Sequence, residues 1–122
     1  MREEVKRWFE KAESDLRKAK DNFKLKNYDL SSFLSQQAVE KALKALQIKK
    51  EREFSKTHDL LFLAKKLQIS PDLIEKCDKL NPVYIETRYP DANGKFETYS
   101  ERESKEDIEI AEEVLLWIRK NL

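Results

Sequence analysis

Along the first stretch of the chain, apolar residues recur at Val5, Trp8, Phe9, Ala12, Leu16, Ala19 and Phe23, with charged residues between them. Steps of three and four place such residues on one side of an α-helix, so the pattern predicts a first helix from Glu3 to about Lys24. The stretch LKNYDLSS is turn-like in composition, and Asn27 or Asp29 stands where a helix cap is needed. A second helix is predicted from about Tyr28 to about Lys50, with Leu30, Phe33, Leu34, Ala38, Val39, Ala42, Leu43, Ala45 and Leu46 as its stripe. It is the longest and most apolar of the predicted helices, and therefore the expected centre of the fold.

Shorter elements follow. Thr57 is the expected N-cap of a third helix that ends near Leu67, with Asp59 favourably placed in its first turn. In SPDLIEKCDKL, Ser70 is a cap and Pro71 occupies the first helical position, where its missing N–H costs nothing; Leu73, Ile74, Cys77 and Leu80 form the stripe. That helix is expected to stop before Asn81 and Pro82. The last helix is predicted to start at a Ser104 cap with Asp107 three residues on, and to turn Ile108, Ala111, Val114, Leu115 and Ile118 inward. The segment from Asn81 to Glu103 is predicted as one long loop holding Tyr84, Arg88, Tyr89, Asp91, Phe96, Tyr99 and the only glycine, Gly94. No segment alternates as a strand would. The expected class is all-α, an antiparallel up-and-down bundle of four main helices plus a short extra helix, forming a single domain over residues 1–122.

Composition narrows the functional field. The 25 Lys and Arg offset 24 Asp and Glu to a net charge of +1, so no basic field marks a general nucleic-acid binder. Abundant Lys and Glu beside a single glycine, methionine and cysteine resemble the composition of thermophile proteins. Cys77 has no partner in the chain, and nowhere do ~18 apolar residues run together, so a cytoplasmic protein that does not cross a membrane is expected. With His58 as the only histidine and one glycine available, neither a metal site, a phosphate-binding glycine loop nor a serine triad is legible; no cofactor, metal ligand or catalytic residue is assigned.

What remains is a set of residues able to hold an anion beside a flat ring. Arg88 can fork onto a phosphate or carboxylate, and Tyr84, Tyr89 or Tyr99 can stack on a base. Asp91 belongs to the same loop. Gln37, Lys41 and Lys44 share one side of the second helix, and His58 stands at the start of the third. The plainer alternatives are aromatics that close one end of the bundle, lysines on a solvated face, and a histidine bonded to a nearby carboxylate or backbone group.

In their order, SQQAVEKALKAL on the second helix, KTHDL opening the third and YIETRYPD after the fourth resemble the HEPN family, named for higher eukaryotes and prokaryotes nucleotide-binding. Trp8, Ala12, Asp15, Leu16 and Ala19 resemble its first helix. The resemblance implies a helical bundle, commonly a homodimer, acting as a nucleotide-binding or accessory module beside a small nucleotidyltransferase, as in toxin–antitoxin pairs. It also implies an alternative, a metal-independent ribonuclease, whose signature is an arginine and a histidine with four to six residues between them. After Arg88 this chain reads YPDANGKF, with no histidine, so binding of a nucleotide is the favoured expectation and cleavage of RNA is not. REFSKTH, from Arg52 to His58, has the spacing but lies between the second and third helices and is taken as coincidence. A third alternative is a helical dimerisation module with no small ligand. Dimerisation is expected on separate grounds too, because Trp8, Phe9, Leu30, Phe33, Phe62 and Trp117 are more apolar surface than a thin bundle covers.

Overall fold

The computed structural model describes residues 2–89 and 99–122. Its described residues form α1 (Glu3–Lys24), α2 (Tyr28–Glu51), α3 (Leu60–Lys66), α4 (Pro71–Leu80), α5 (Val83–Arg88) and α6 (Glu101–Lys120), and no strand. The all-helical class is as the pattern predicts. Helix α2 is the centre, packed by α1 along its length, by α6, and by α3 and α5 at its sides, while α4 joins α3 to α6. No helix among the described residues is long and apolar enough to cross a membrane.

The core is built around α2, and α1, α3, α4 and α6 all contribute to it. Val39, Ala42, Leu43, Leu46 and Ile48 of α2 are fully buried, as are Ala111, Val114 and Ile118 of α6. From α1, Val5, Phe9, Ala12 and Ala19 are buried against them. The first half of α2 departs from the expected stripe. Leu30 is exposed, Phe33 and Leu34 are half-buried, and Ser31, Ser32 and Ser35 turn inward instead. Ser31 donates to the Ala19 carbonyl at 2.8 Å, and Ser32 meets Ser104 at 3.0 Å. Small hydroxyl residues let the helices approach closely there while every inward oxygen finds a partner.

Helices α3, α4 and α6 start at side-chain caps, not always those expected. Ser70 caps α4, with Pro71 in the first turn, as predicted. At α3 the cap is Asp59, not Thr57: Asp59 accepts the Phe62 N–H at 3.0 Å, and Thr57 Oγ1 accepts the Asp59 N–H at 3.1 Å. Asn27 stands at the N-cap of α2 but makes no cap bond; its amide donates to Asn22. Helix α6 starts four residues earlier than expected, from a capping box of Ser100 and Glu103. Ser104, freed from capping, is buried and donates to the Tyr28 carbonyl at 2.6 Å. The segment predicted as one long loop contains α5 and the first turn of α6; Asp91, Gly94 and Phe96 lie outside the described residues.

With so little glycine, the chain closes three helices, α1, α2 and α3, with left-handed residues that carry side chains; after α2 it is Arg52 (φ 62°), whose N–H donates to Ile48. At the end of α1, Lys26 (φ 65°) donates to Phe23 and Asn27 to Asn22; at the end of α3, Gln68 (φ 53°) donates to Lys65 and Ile69 to Ala64. Both are Schellman closures with a non-glycine residue at the position that favours glycine.

Candidate functional site

Helix α5 carries two of the sequence-predicted residues, Tyr84 and Arg88, one turn apart. That spacing brings them together: the Arg88 guanidinium donates to Tyr84 Oη at 2.5 Å and lies 4.8 Å from the centre of its ring. The connection between α2 and α3 delivers His58 to the same ring, stacked at 4.1 Å between centroids with planes 13° apart. Phe33 of α2 approaches it at 6.1 Å. Arg88 and His58, far apart in sequence, thus meet through one tyrosine.

The His58 side chain is 48% exposed, yet its ring is anchored from below: Nδ1 lies 2.9 Å from Oε1 of Glu40, a carboxylate on α2 that is only 5% exposed. The other oxygen of Glu40 accepts from Lys44 at 2.9 Å. The Lys44 ammonium, also buried, sits beneath the rings of Trp8 and Phe54, 6.0 and 5.8 Å from their centres. Gln36 donates to the His58 carbonyl at 3.3 Å, and Gln47 both donates to Ser55 Oγ and accepts the Ser55 N–H. A polar row on α2, buried under the connection, therefore fixes where that connection runs. Such a row is tolerated because each member is hydrogen-bonded.

Two clefts flank α5. The larger, of about 450 Å³, is lined by His58, Asp59, Asn81, Pro82, Tyr84, Ile85 and Tyr89. Ile85 and Tyr89 stand more than half exposed on its wall. Asn81 holds its edge, donating to Asp59 at 2.9 Å and accepting the Leu60 N–H at 2.8 Å. The smaller cleft, of about 240 Å³, is lined by Asp29, Leu30, Phe33, Thr87 and Arg88. Helix α5 is itself tied to the start of α6 by Tyr99, whose hydroxyl donates to Glu86 at 2.9 Å. Burial first, and then that bond, push the Tyr99 phenol well above its ordinary range, so it stays a donor.

Of the sequence-predicted residues, His58, Tyr84, Tyr89 and Arg88 gather around α5, and Asp91 lies outside the described residues. Tyr99 serves as a strut. Gln37, Lys41 and Lys44 line neither cleft: Lys41 donates to Asp15 at 2.8 Å and to Gln37 at 3.1 Å, and Lys44 reaches the site only through Glu40. Sequence reasoning missed Glu40, Gln36 and Asn81. The signal for two of them was available, since Gln36, Glu40, Lys44 and Gln47 recur at helical steps on the most apolar helix.

A family model described as HEPN domain matches residues 5–121. The crystal structure of TT1696 from Thermus thermophilus superposes with a TM-score of 0.90 at 31% identity, covering 97% of this chain and 98% of that one. The crystal structure of ST0689, described as an archaeal HEPN homologue, does so with a TM-score of 0.80 at 32% identity, covering 96% of each chain. No curated protein matches the chain.

Proposed function

This chain belongs to the HEPN family, and from that premise we propose that it is a nucleotide-binding module whose ligand rests its phosphate on Arg88 and its base in the larger cleft. One observation carries the reading: an arginine, a tyrosine and a carboxylate-anchored histidine from two separate segments form one stacked group at the mouth of a cleft with apolar walls. Guanidinium supplies the bidentate partner of a phosphate, and the exposed side of His58, with Tyr89 and Ile85, supplies surface for a flat ring. The test is calorimetric titration with nucleoside phosphates. Arg88→Ala removes a charged hydrogen bond worth about 1.5–3 kcal/mol, so affinity falls roughly tenfold or more in a variant that circular dichroism shows folded. Unchanged binding would take Arg88 out of the site.

The proposal extends to assembly. A homodimer, and an accessory role beside a small nucleotidyltransferase, rest on the resemblance and on apolar side chains left in the open. The protomer itself buries Phe9 and half-covers Trp8, Phe33 and Trp117, but leaves Leu30, Phe62, Ile85 and Leu116 exposed. Light scattering tests the dimer, and a single-protomer mass at high micromolar concentration would end that part.

A second reading, a metal-independent ribonuclease, is favoured by the meeting of His58 and Arg88 on Tyr84. With Nδ1 held by Glu40, the imidazole has Nε2 left for proton transfer. An arginine to hold a phosphodiester and an imidazole to carry one of its two proton transfers are side chains such a reaction uses.

A further inference from the structure

The two clefts beside α5 are not independent. Tyr84 lines the larger and Arg88 the smaller, and the two residues touch by a hydrogen bond and by ring contact. Phe33, from the wall of the smaller cleft, faces the Tyr84 ring at 6.1 Å. The result is a cation on a ridge with a ring-lined hollow on each side.

A mononucleotide needs one hollow and one cation, so the smaller cleft is surplus to it. In the smaller cleft, Leu30 and Phe33 lie one helical step apart and give an apolar wall, and the Asp29 carboxylate stands beside it as an acceptor for ring N–H groups. Neither Asp29 nor Thr87 can hold a second phosphate: one repels it, and the other's hydroxyl donates to the Val83 carbonyl at 2.7 Å. The chemistry on the far side of Arg88 therefore suits another flat ring, not another anion.

We infer that the ligand is a base–phosphate–base unit, a dinucleoside monophosphate, with one base in each cleft and the bridging phosphodiester on Arg88. This deepens the nucleotide-binding reading and rests on it. A lone mononucleotide occupies half of the site, and the second base is gripped by Leu30 and Phe33.

The experiment separates the two claims. Calorimetry compares each ribonucleoside 5′-monophosphate with the corresponding 3′,5′-linked dinucleoside monophosphate, in the full chain and in Leu30→Ala. The diester carries less negative charge than the monophosphate, so charge alone would make it the weaker ligand. Stacking of the added base is expected to make it about tenfold tighter for the best-bound base. Leu30 is exposed, so its truncation spares the fold; it removes most of that gain and leaves the monophosphate unchanged. Dinucleoside binding no tighter than the monophosphate, or a gain that survives both Leu30→Ala and Phe33→Ala, overturns the inference while monophosphate binding still supports the one-cleft site. Absence of binding by either ligand overturns both. A ten-residue homopolymer of the same base tells whether the unit is read within a strand: tighter binding per site supports a strand segment, and equal binding supports the free dinucleotide, with the two-base inference upheld in each case.

Discussion

The imidazole of His58 lies flat against the phenol of Tyr84, 4.1 Å between ring centres and 13° between planes. Neither residue depends on a ligand for this arrangement. Glu40 holds the histidine from α2, and Tyr99, through Glu86, holds the helix that bears the tyrosine. The contact surface is thus assembled in advance, which spares a ligand the ordering cost that weakens binding by mobile loops.

If Tyr84 acts as the platform, its ring matters more than its hydroxyl. Tyr84→Phe keeps the stack with His58 and loses the bond to Arg88, so nucleotide affinity is expected to fall by no more than about threefold. Tyr84→Ala removes the surface that supports His58 and Arg88 together, and a fall of roughly tenfold or more is expected. Calorimetry on the two variants decides: equal losses would mean that the ring is not the platform.

The site was legible in its parts and not in its assembly. Arg88 and Tyr84 are one helical turn apart, but Val83–Arg88 is too short to show a periodic stripe, so the sequence left them in a loop. His58 reaches Tyr84 because Gln36, Glu40 and Gln47 tether the α2–α3 connection from below, and polar residues on an apolar helix look solvated until something is known to cover them. The fold was plainer: α1 has the predicted bounds, and the predicted inward face of α6 is buried. The error at the start of α6 has a local cause. Ser100 and Ser104 are each followed three residues on by an acidic residue, and only the burial of Ser104 against Ser32 decides between them.

The Glu40–Lys44 pair beneath His58 carries an uneven stability cost. Both side chains are almost wholly buried, at 5% and 6% exposure, so Glu40→Ala strands an ammonium in the interior and is expected to cost about 3–5 kcal/mol in urea unfolding. Replacing both partners, as Glu40→Leu with Lys44→Met, is expected to recover at least about 1 kcal/mol of that loss, since no charge is left unpaired. A double variant as unstable as the sum of its single changes would show that the pair is not coupled.

At the ends of α1 and α3, Lys26 and Gln68 occupy left-handed conformations that disfavour a Cβ. Gln68→Gly keeps the two closing hydrogen bonds, which are made by backbone atoms, and relieves that conflict. A gain of about 0.5–1 kcal/mol is expected, net of the extra freedom glycine gives the unfolded chain. Thermal denaturation measures it; a loss would mean that the glutamine side chain contributes more than its conformation costs.

Alkaline pH should weaken the fold through Cys77. Burial pushes its thiol from an ordinary 9.0 up to about 12, so the native state keeps a proton that the unfolded chain releases. The unfolded state then binds fewer protons, and stability falls as pH rises. This contribution is fully present below pH 9.0 and drains away towards about pH 12, on the order of a few kcal/mol in all. Cys77→Ala lacks it. Melting temperature plotted against pH is expected to fall more steeply for the wild type than for the variant, and parallel curves would exclude the thiol as the cause.

The last prediction separates binding from cleavage: in EDTA, the purified protein is expected to leave a mixed RNA substrate largely intact. Cutting a phosphodiester by transesterification takes two proton transfers, one from the attacking hydroxyl and one to the leaving oxygen, and the described site offers a single imidazole. The Arg88 guanidinium can hold the phosphate but is not a proton-transfer group, and the Tyr84 hydroxyl oxygen accepts from it. Loss of one well-placed proton-transfer group typically costs roughly 10²–10⁴-fold in rate, enough to leave a bound strand uncut on the timescale of an ordinary incubation. Wild type, Arg88→Ala and His58→Ala are compared by gel. Robust cleavage in EDTA that His58→Ala abolishes would reverse the order of the two readings, and would make Glu40, which orients the imidazole, the next residue to change.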